Sequence, residues 1–439
     1  MRIPIVAIGS HEDDPLLALE SRSGVVAVVR RCKEFAELIA ACQSGLARVA
    51  VVVGATADVT LTLADRLATS GVGLVCLTDD DGERRRLEGL GLVTASETAD
   101  AQHIGAVIAD AARAAGQQAA NSPSSSFSLP GARPAVFGEP VARERAPHED
   151  ERKARGHVIA FWGPIGSSGR TTLALNVAAE MAASGRGVVV IDADTYGPSV
   201  AAHLGLLDES AGLAQACRLA DQGMLTAENL ERLAPAVVAG TGELRVLTGI
   251  TRSDRWGELR AAAFGAVLDG CRALSDVVVV DTGFSVEADE ELAFDAVAPR
   301  RNATTLLTLE QADRVVAVGA ADAVGMPRLV RALDDLERSL PRVTPEVVFN
   351  KVRRASLGRF PERSLREAWE RFGPSQPIAA LVPFEPETAD AALFSGQMLL
   401  ESAPGSRLRS AIREIVWPSR QRNRRSAVSS DRAGAILPR

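Results

Sequence analysis

Short apolar runs alternate with segments of helical periodicity over the first 115 residues. Between two of the runs, for example, Phe35, Leu38 and Ile39 recur at the spacing of one helix face. Repeated alternation of strand and helix predicts a small α/β domain with a parallel sheet. The predicted strands are Ile3–Ile8, Val25–Val29, Val49–Val53, Val72–Leu77 and Gly91–Thr94.

The alternation restarts at residue 157 with longer and more apolar runs. Nearly continuous valine runs are typical of strands buried on both faces of a doubly wound, mostly parallel sheet. Ligands bind at the carboxyl ends of the strands in such sheets, so the polar residues that follow each run are the site candidates. The predicted elements are the helix Thr171–Ala183 and the strands His157–Trp162, Val188–Asp192, Val277–Asp281, Arg314–Gly319, Pro345–Asn350 and Ile378–Pro383.

Two stretches lack apolar periodicity. Residues 116–156 mix Ser, Pro, Ala and charged residues, which predicts a disordered linker. Residues 418–439 have the same character and hold six arginines against one aspartate, which predicts a basic, disordered tail. The sequence therefore predicts two folded domains, 1–115 and 157–417.

Composition and charge narrow the class of protein. The chain has 439 residues and a formal net charge of −7, and this acidic balance argues against a dedicated nucleic-acid binder. Its apolar runs are too short to cross a bilayer, and it begins without an apolar leader and cleavage site. The five cysteines lie far apart, as expected for reduced thiols. We therefore expect a cytoplasmic protein.

A loop of small residues joins the first strand of the second domain to its helix. It reads Phe161-Trp-Gly-Pro-Ile-Gly-Ser-Ser-Gly-Arg-Thr-Thr. Small residues let successive backbone N–H groups turn around an anion, and the helix N-terminus adds its positive dipole end. The spacing departs from the G-x-x-x-x-G-K-[ST] phosphate loop at Pro164 and Arg170, so an ordinary strand-to-helix turn is the alternative. The candidate nucleotide-binding residues are Gly166, Ser167, Ser168, Gly169, Arg170, Thr171 and Thr172.

Three aspartates strengthen the phosphate-loop interpretation. Asp192 and Asp194 follow the second strand, and Asp281 ends the run Val277–Val280. A strand that ends in aspartate is the arrangement that holds Mg²⁺ in phosphate-loop enzymes. Each aspartate alone is typical of a helix or turn cap, but the combination favours a nucleotide site with Mg²⁺ at Thr171, Asp192 and Asp281.

These motifs give residues 157–416 a resemblance to the MinD/ParA group of deviant-Walker P-loop ATPases. The resemblance implies binding of ATP with Mg²⁺, and function as a homodimer. It implies that Asp194 positions the attacking water, while Thr171 and Asp281 serve Mg²⁺. The remaining motif residues that carry it are Phe349-Asn350-Lys351 and Val382-Pro383, of which Asn350 would read the adenine edge and Pro383 would lie beside the base.

The chain departs from this group at two positions where the group has a lysine. Ile165 stands where the group has its signature lysine, and an isoleucine cannot donate to a phosphate. Arg170 stands at the phosphate-loop lysine, and a planar guanidinium is not equivalent to an ammonium. We therefore expect weakened ATP binding and slow or absent hydrolysis. Arg252 and Arg255 could replace the lost charge, although a solvated loop is the favoured alternative.

The first domain resembles a response-regulator receiver that has lost its phosphorylation site. It has Glu12-Asp13-Asp14 and Thr78, but Gly54 and Ala55 stand at the position of the acceptor aspartate. No lysine stands directly after the strand that contains Val93, and Asp58 lies a few residues beyond the acceptor position. We therefore expect a smaller, flavodoxin-like pseudo-receiver domain that docks partners, an arrangement similar to the CpaE/TadZ branch of pilus-assembly proteins.

Three functions follow from the resemblance. The first is an ATP-dependent switch that localises or regulates a membrane-associated pilus or secretion machine through protein partners. The second is a non-hydrolysing pseudo-ATPase scaffold, and the third is a DNA-coating partition ATPase, which the acidic charge disfavours. Two segments could contact the inner face of the plasma membrane peripherally, namely Leu408–Val416 and the basic tail. For Leu408–Val416, a packed final helix is the favoured interpretation.

Overall fold

The computed structural model describes residues 2–9, 16, 19, 26–121, 155–166, 168–206, 211–287 and 300–417. The acidic cluster Glu12–Asp14, the phosphate-loop residue Ser167 and the basic tail from residue 418 lie outside the described residues. Linker residues 122–154 also lie outside them.

The first sheet has five strands, all pairing in parallel, in the order β2-β1-β3-β4-β5. This is the strand order of flavodoxin-like sheets. The last helix runs beyond the predicted domain boundary at residue 115 and ends at Asn121. The strands are β1 Ile3–Ile8, β2 Val26–Cys32, β3 Val49–Val53, β4 Gly73–Leu77 and β5 Val93–Ala95, and the helices are α1 Phe35–Gln43, α2 Leu61–Thr69, α3 Asp81–Gly89 and α4 Ala101–Asn121.

Helices cover both faces of this sheet. Every residue of β3 is buried, because its alternate side chains enter two separate apolar clusters. Leu38 and Leu67 pack on one face, and Ile104 and Ile108 pack on the other. A strand that is buried on both faces needs no polar alternation, which explains the unbroken apolar run of β3.

The second sheet has eight strands in the order β13-β12-β11-β6-β10-β7-β9-β8. Neighbouring strands pair in parallel except for β8, which forms an antiparallel edge hairpin with β9. The mostly parallel, doubly wound sheet predicted for the second domain is therefore confirmed. The strands are β6 His157–Trp162, β7 Val188–Ala193, β8 Ala236–Ala239, β9 Gly242–Leu247, β10 Val277–Thr282, β11 Arg314–Ala320, β12 Glu346–Val352 and β13 Ile378–Pro383.

Helices cover the second sheet on both faces as well. Helix α5 (Arg170–Ala183) packs beneath β6, β7 and β10 with its residues from Leu173 to Ala182 buried. The final helix packs on α5 and β13 through Leu408 and Ile412, as the packed-helix interpretation predicts. The further helices are α6 Val200–His203, α7 Gly212–Asp221, α8 Ala227–Leu233, α9 Ala261–Leu274, α10 Ala303–Gln311, α11 Gly325–Ser339, α12 Arg354–Leu357, α13 Pro361–Phe372, α14 Pro386–Ser395, α15 Leu399–Ser402 and α16 Arg407–Val416, with a 3₁₀ helix over Ser253–Glu258.

The register of the central strands determines where the polar residues meet. Asp281 of β10 lies opposite Asp192 of β7 on one side and Phe161 of β6 on the other. The phosphate-loop segment and the predicted aspartates consequently share one edge of the sheet, at the carboxyl ends of its strands.

The two folded units touch through α2 and α3 of the first and the end of α7 in the second. The backbone N–H and the hydroxyl of Thr62 both donate to Oδ1 of Asp221. Arg86 donates from Nη1 to the carbonyl oxygens of Val59 and Gln222, each at 3.0 Å. Within the described part of the chain, no helix has the length and apolar character needed to cross a membrane.

Candidate nucleotide-binding site

The loop between β6 and α5 turns sharply into the helix. Gly169, which precedes α5, has a left-handed backbone with φ +88°, a conformation that costs little only for glycine. A Cβ at this position would lie 2.3 Å from Nδ2 of Asn350, which donates to the carbonyl oxygen of Ser168 at 2.9 Å. Glycine is therefore required here both by the backbone and by the neighbouring strand.

A hydroxyl and a carboxylate meet at the first turn of α5. The Thr171 hydroxyl donates to Oδ2 of Asp281 at 2.5 Å, and Ser199 Oγ lies 3.3 Å from Thr171 Oγ1. Asp281 is 1% exposed, and its second oxygen, Oδ1, has no hydrogen-bond partner among the described residues. Burial raises the pKa of the Asp281 carboxyl, and Arg170 and the Thr171 hydroxyl offset part of that rise.

These oxygens fit a magnesium ion. Mg²⁺ takes oxygen ligands in octahedral geometry, keeps several waters and usually binds one or two protein oxygens together with substrate phosphates. Thr171 would hold it directly, and the unpartnered Oδ1 of Asp281 would accept from its waters; the ion would supply positive charge beside the phosphates. No group of three His, Cys, Asp or Glu side chains in the described part of the chain could hold a metal alone.

Asp192, the third predicted metal residue, organises the loop that follows β7. Its Oδ2 accepts from the N–H groups of Ser199 and Val200 at 2.9 and 3.0 Å. Its Oδ1 accepts more weakly from the N–H of Asp194 at 3.3 Å. Burial, and secondarily the charge of Asp281, raises the pKa of Asp192. The structure thus places Asp192 next to the predicted metal site with its oxygens bonded to backbone amides.

Asp194 is held by its own loop and by the phosphate-loop cation. Its Oδ1 accepts from the N–H groups of Tyr196 and Gly197 at 2.8 and 3.1 Å. Its Oδ2 forms an ion pair with Nη2 of Arg170 at 3.1 Å, and Nη1 of Arg170 donates to the Gly163 carbonyl at 2.9 Å. Both side chains are largely buried. The cation expected to meet phosphate is therefore already bound to the carboxylate expected to position water.

The predicted base-binding residues lie at the ends of β12 and β13. Asn350 is buried, with Nδ2 on Ser168 and Oδ1 accepting from the N–H of Lys351 at 2.8 Å. An amide has two donors and two acceptor sites, so one of each is left for a base edge. Lys351 adopts φ +61°, which is unusual outside glycine, at the place where the register between β12 and β13 shifts. Pro383 ends the neighbouring strand and is half-buried.

The remaining sequence candidates lie in α5 and in the segment that follows β9. Thr172 lies in the first turn of α5, where its carbonyl accepts from Asn176. Arg252 forms an ion pair with Asp254, and Arg255 with Glu258, within their own exposed segment. This is the solvated-loop alternative, and neither arginine is brought to the phosphate loop.

A polar network that the sequence analysis did not anticipate joins the loop after β7 to the segment after β10. The Tyr196 hydroxyl donates to Oδ1 of Asn302 at 2.8 Å, and the Arg301 guanidinium lies 3.9 Å from the centre of the tyrosine ring. Arg301 also donates to the carbonyl of Thr195 at 2.9 Å. Phe284 packs on the other side of Tyr196, with ring centres 4.5 Å apart. The sequence feature that could have indicated this network is Tyr196, which is the sole tyrosine of the chain and closely follows Asp194.

Another cleft of the second domain lies at the amino end of β7. Its lining includes Gly187, Val188, Leu230 and Cys271. Sites of doubly wound sheets lie at the carboxyl ends of the strands, and this cleft has no glycine-rich loop entering a helix. The polar residues at the carboxyl ends of β6, β7 and β10 are therefore the candidate site.

Several solved structures are similar to this chain at low sequence identity. A ParA family ATPase from Chlorobium tepidum TLS is 18% identical over 60% of this chain and 98% of that chain, with a TM-score of 0.48. The cell division ATPase MinD of Pyrococcus furiosus is 16% identical over 60% and 97%, with a TM-score of 0.45. MinD of Pyrococcus horikoshii OT3, complexed with Mg-ADP, is 14% identical over 60% and 94%, with a TM-score of 0.46.

A family model carries the assignment. No curated protein sequence matches the chain. The CbiA model, described as the CobQ/CobB/MinD/ParA nucleotide binding domain, matches residues 159–396, which is more than half of the sequence. The match begins in β6 and ends directly after α14, so it includes the phosphate loop and all three aspartates. The chain therefore belongs to the CobQ/CobB/MinD/ParA nucleotide-binding family.

Proposed function

We propose that this protein is an ATP-binding switch with little or no ATP hydrolysis. In this proposal residues 157–417 bind ATP with Mg²⁺, and residues 1–115 form a pseudo-receiver domain that docks partners. The observation that carries the proposal is the ion pair between Arg170 and Asp194, because it links the cation of the phosphate loop to the loop that follows β7.

The phosphate site supports triphosphate binding through three kinds of group. The backbone of the small-residue loop and the N-terminus of α5 supply N–H donors. Arg170 supplies positive charge, and Thr171 with Asp281 supplies oxygens for Mg²⁺. Asn350 is proposed to hold the base because its Nδ2 donates to the loop carbonyl of Ser168, and Pro383 because it ends the strand that pairs with β12.

The same ion pair supports a switch. A phosphate that binds Arg170 competes with Asp194 for the guanidinium, and Asp194 is hydrogen-bonded to the N–H groups of Tyr196 and Gly197. Binding would therefore alter the loop after β7, where partners can distinguish the two states.

Hydrolysis is expected to be slow for two reasons. Asp194 would have to exchange its bond to Arg170 for one to water. Ile165 is 59% exposed at the mouth of the loop and offers no hydrogen bond to a phosphate. Loss of one transition-state cation costs a factor of about 10³ to 10⁵ in phosphoryl transfer.

The proposal also includes a cellular role. The pseudo-receiver ahead of an ATP-binding domain supports a role like that of the CpaE/TadZ branch, in which a homodimer localises or regulates a membrane-associated pilus or secretion machine. In this role the protein is cytoplasmic and contacts the membrane only peripherally. The acidic body argues against the partition-ATPase alternative.

Arg170→Ala tests the proposal. We expect ATP affinity, titrated with and without Mg²⁺, to fall by about 10- to 100-fold, because a charge-assisted hydrogen bond contributes about 1.5–3 kcal/mol. Arg186→Ala is the matched control, since Arg186 is exposed beyond the other end of α5. Unchanged affinity in Arg170→Ala would remove this residue from phosphate binding.

Turnover on the same samples separates the switch from the scaffold. Binding with measurable, slow release of phosphate supports a switch that resets itself. Binding without any turnover supports the non-hydrolysing scaffold. Failure of the wild-type protein to bind ATP would contradict both.

A further inference from the structure

We propose that Arg328 contacts the outermost phosphate of the bound nucleoside triphosphate. This inference rests on the proposed function and adds a residue that the phosphate-loop motif does not contain. Arg328 lies in the first turns of α11 and lines one cleft with Ile165 and Gly166. It comes from a strand–helix unit on the opposite side of β6 from Asp192 and Asp281.

The guanidinium of Arg328 lies directly against the phosphate loop. A Cβ at Gly166 would lie 2.5 Å from Nη1 of Arg328, so any larger residue would displace the arginine. Gly166 also has φ +122°, a backbone conformation in which other residues are strained. Glycine at this position thus brings a second cation to the loop.

The charges around the phosphate loop favour an anionic ligand for Arg328. Arg170 is occupied by Asp194 and by the Gly163 carbonyl. Arg328 is exposed, and its guanidinium has no hydrogen bond or ion pair to another described residue. A triphosphate brings several negative charges, so Arg170 alone cannot neutralise it.

The acidic residue of the same cleft does not neutralise Arg328. Asp322 uses Oδ1 to accept from the N–H groups of Val324 and Gly325, at 3.0 and 2.8 Å. Its Oδ2 lies 3.8 Å from Nη2 of Arg353. Asp322 is therefore engaged by the backbone at the start of α11 and by Arg353.

The chemistry of the guanidinium suits this role. Arginine binds phosphate oxygens with two parallel N–H groups and stays charged at every physiological pH. Gly166 lies at the end of the loop farther from α5, whereas Thr171 and the helix N-terminus would hold the inner phosphates and Mg²⁺. The contact should therefore distinguish ATP from ADP.

The test compares ATP and ADP binding, each with Mg²⁺, in the full-length wild type and three variants. Arg328→Ala should raise the dissociation constant for ATP by about 10- to 100-fold and change that for ADP by less than about 3-fold. Arg328→Lys should retain part of the ATP affinity because it keeps the charge. Arg331→Ala is the control, since Arg331 is exposed one turn further along α11.

Each outcome has a clear meaning. Equal ATP affinity in Arg328→Ala and Arg331→Ala would overturn the inference while leaving the proposed function intact. An equal loss of ATP and ADP affinity would overturn the contact with the outermost phosphate. A wild type that binds neither nucleotide would overturn the proposed function and this inference together. Urea unfolding of each variant verifies that it is folded.

Discussion

The two sheets of this protein share an architecture but differ at the carboxyl ends of their strands. Both have parallel strands with helices on each face. In the first, β3 ends at Val53 and is followed by Gly54 and Ala55. In the second, β10 and β7 carry Asp281 and Asp192 opposite each other in buried positions.

This difference distinguishes the sheet that has buried carboxylates at the ends of its strands from the sheet that has none described there. Burying a carboxylate is unfavourable unless it is paired, hydrogen-bonded or bound to a metal. The second sheet keeps Asp192, Asp194 and Asp281 buried around one loop, whereas the buried polar residues described in the first are the neutral Thr56 and Thr78. Buried carboxyls with raised pKa values, here Asp192 and Asp281, mark a candidate functional site in the second sheet.

The largest effect is expected from a single added methyl group in the phosphate loop. Gly169→Ala places a Cβ 2.3 Å from Nδ2 of Asn350 and also strains the backbone at φ +88°. We expect ATP affinity to fall by about 100-fold or more, because several N–H groups move away from the phosphates at once. Titration with a fluorescent ATP analogue measures this loss.

Gly185→Ala is the matched control for Gly169→Ala. Gly185 has nearly the same backbone, with φ +90°, but nothing lies within 4 Å of an added Cβ. Both variants should lose about 1–2 kcal/mol of unfolding free energy from the left-handed backbone. Only Gly169→Ala should lose ATP affinity, and equal losses in the two variants would show that the loop geometry is not what binds the nucleotide.

A smaller effect is expected at the network that joins the two loops of the site. Tyr196→Phe removes the hydroxyl that donates to Asn302 but keeps the ring beneath Arg301 and beside Phe284. We expect the free energy of unfolding to fall by about 1 kcal/mol, the usual contribution of one hydrogen bond. A double-mutant cycle with Asn302→Ala, measured by urea unfolding, should give a coupling of similar size, and a coupling near zero would contradict the bond.

Much of the fold could be predicted because its strands are buried on both faces. The bounds of β1, β3, β6 and β13 are those the apolar runs predict. The hairpin β8–β9 was not predicted. It lies at the sheet edge, where β8 has only 4 residues and Glu243 and Arg245 interrupt the apolar run of β9. Burial leaves a clear pattern in the sequence, and a half-exposed edge strand does not.

The site could be predicted only in its outline. The loop and the aspartates follow predicted strands, and parallel strands bring their ends together, so the shared edge follows from topology. The partners of each side chain do not follow from it. The bond from Arg170 to Asp194 and the approach of Arg328 to Gly166 join distant segments of the chain, and helical or strand periodicity carries no information about such contacts.

The smallest effect is expected where the first sheet is given the aspartate that it lacks. Gly54→Asp places a carboxylate directly after β3, and aspartate tolerates the left-handed backbone of this residue, φ +70°, better than most residues. Incubation with acetyl phosphate and Mg²⁺ should nevertheless leave phosphate incorporation at the level of the wild type, because receiver chemistry also needs a lysine after the fifth strand, and none follows Val93. Asp58→Asn in the same background excludes labelling of that nearby carboxyl. Incorporation above the wild-type level would show that a single aspartate is enough to give the first sheet a phosphate-accepting site. Unchanged incorporation would support the opposite view: that a phosphate site requires several charged groups placed together, as they are around Arg170.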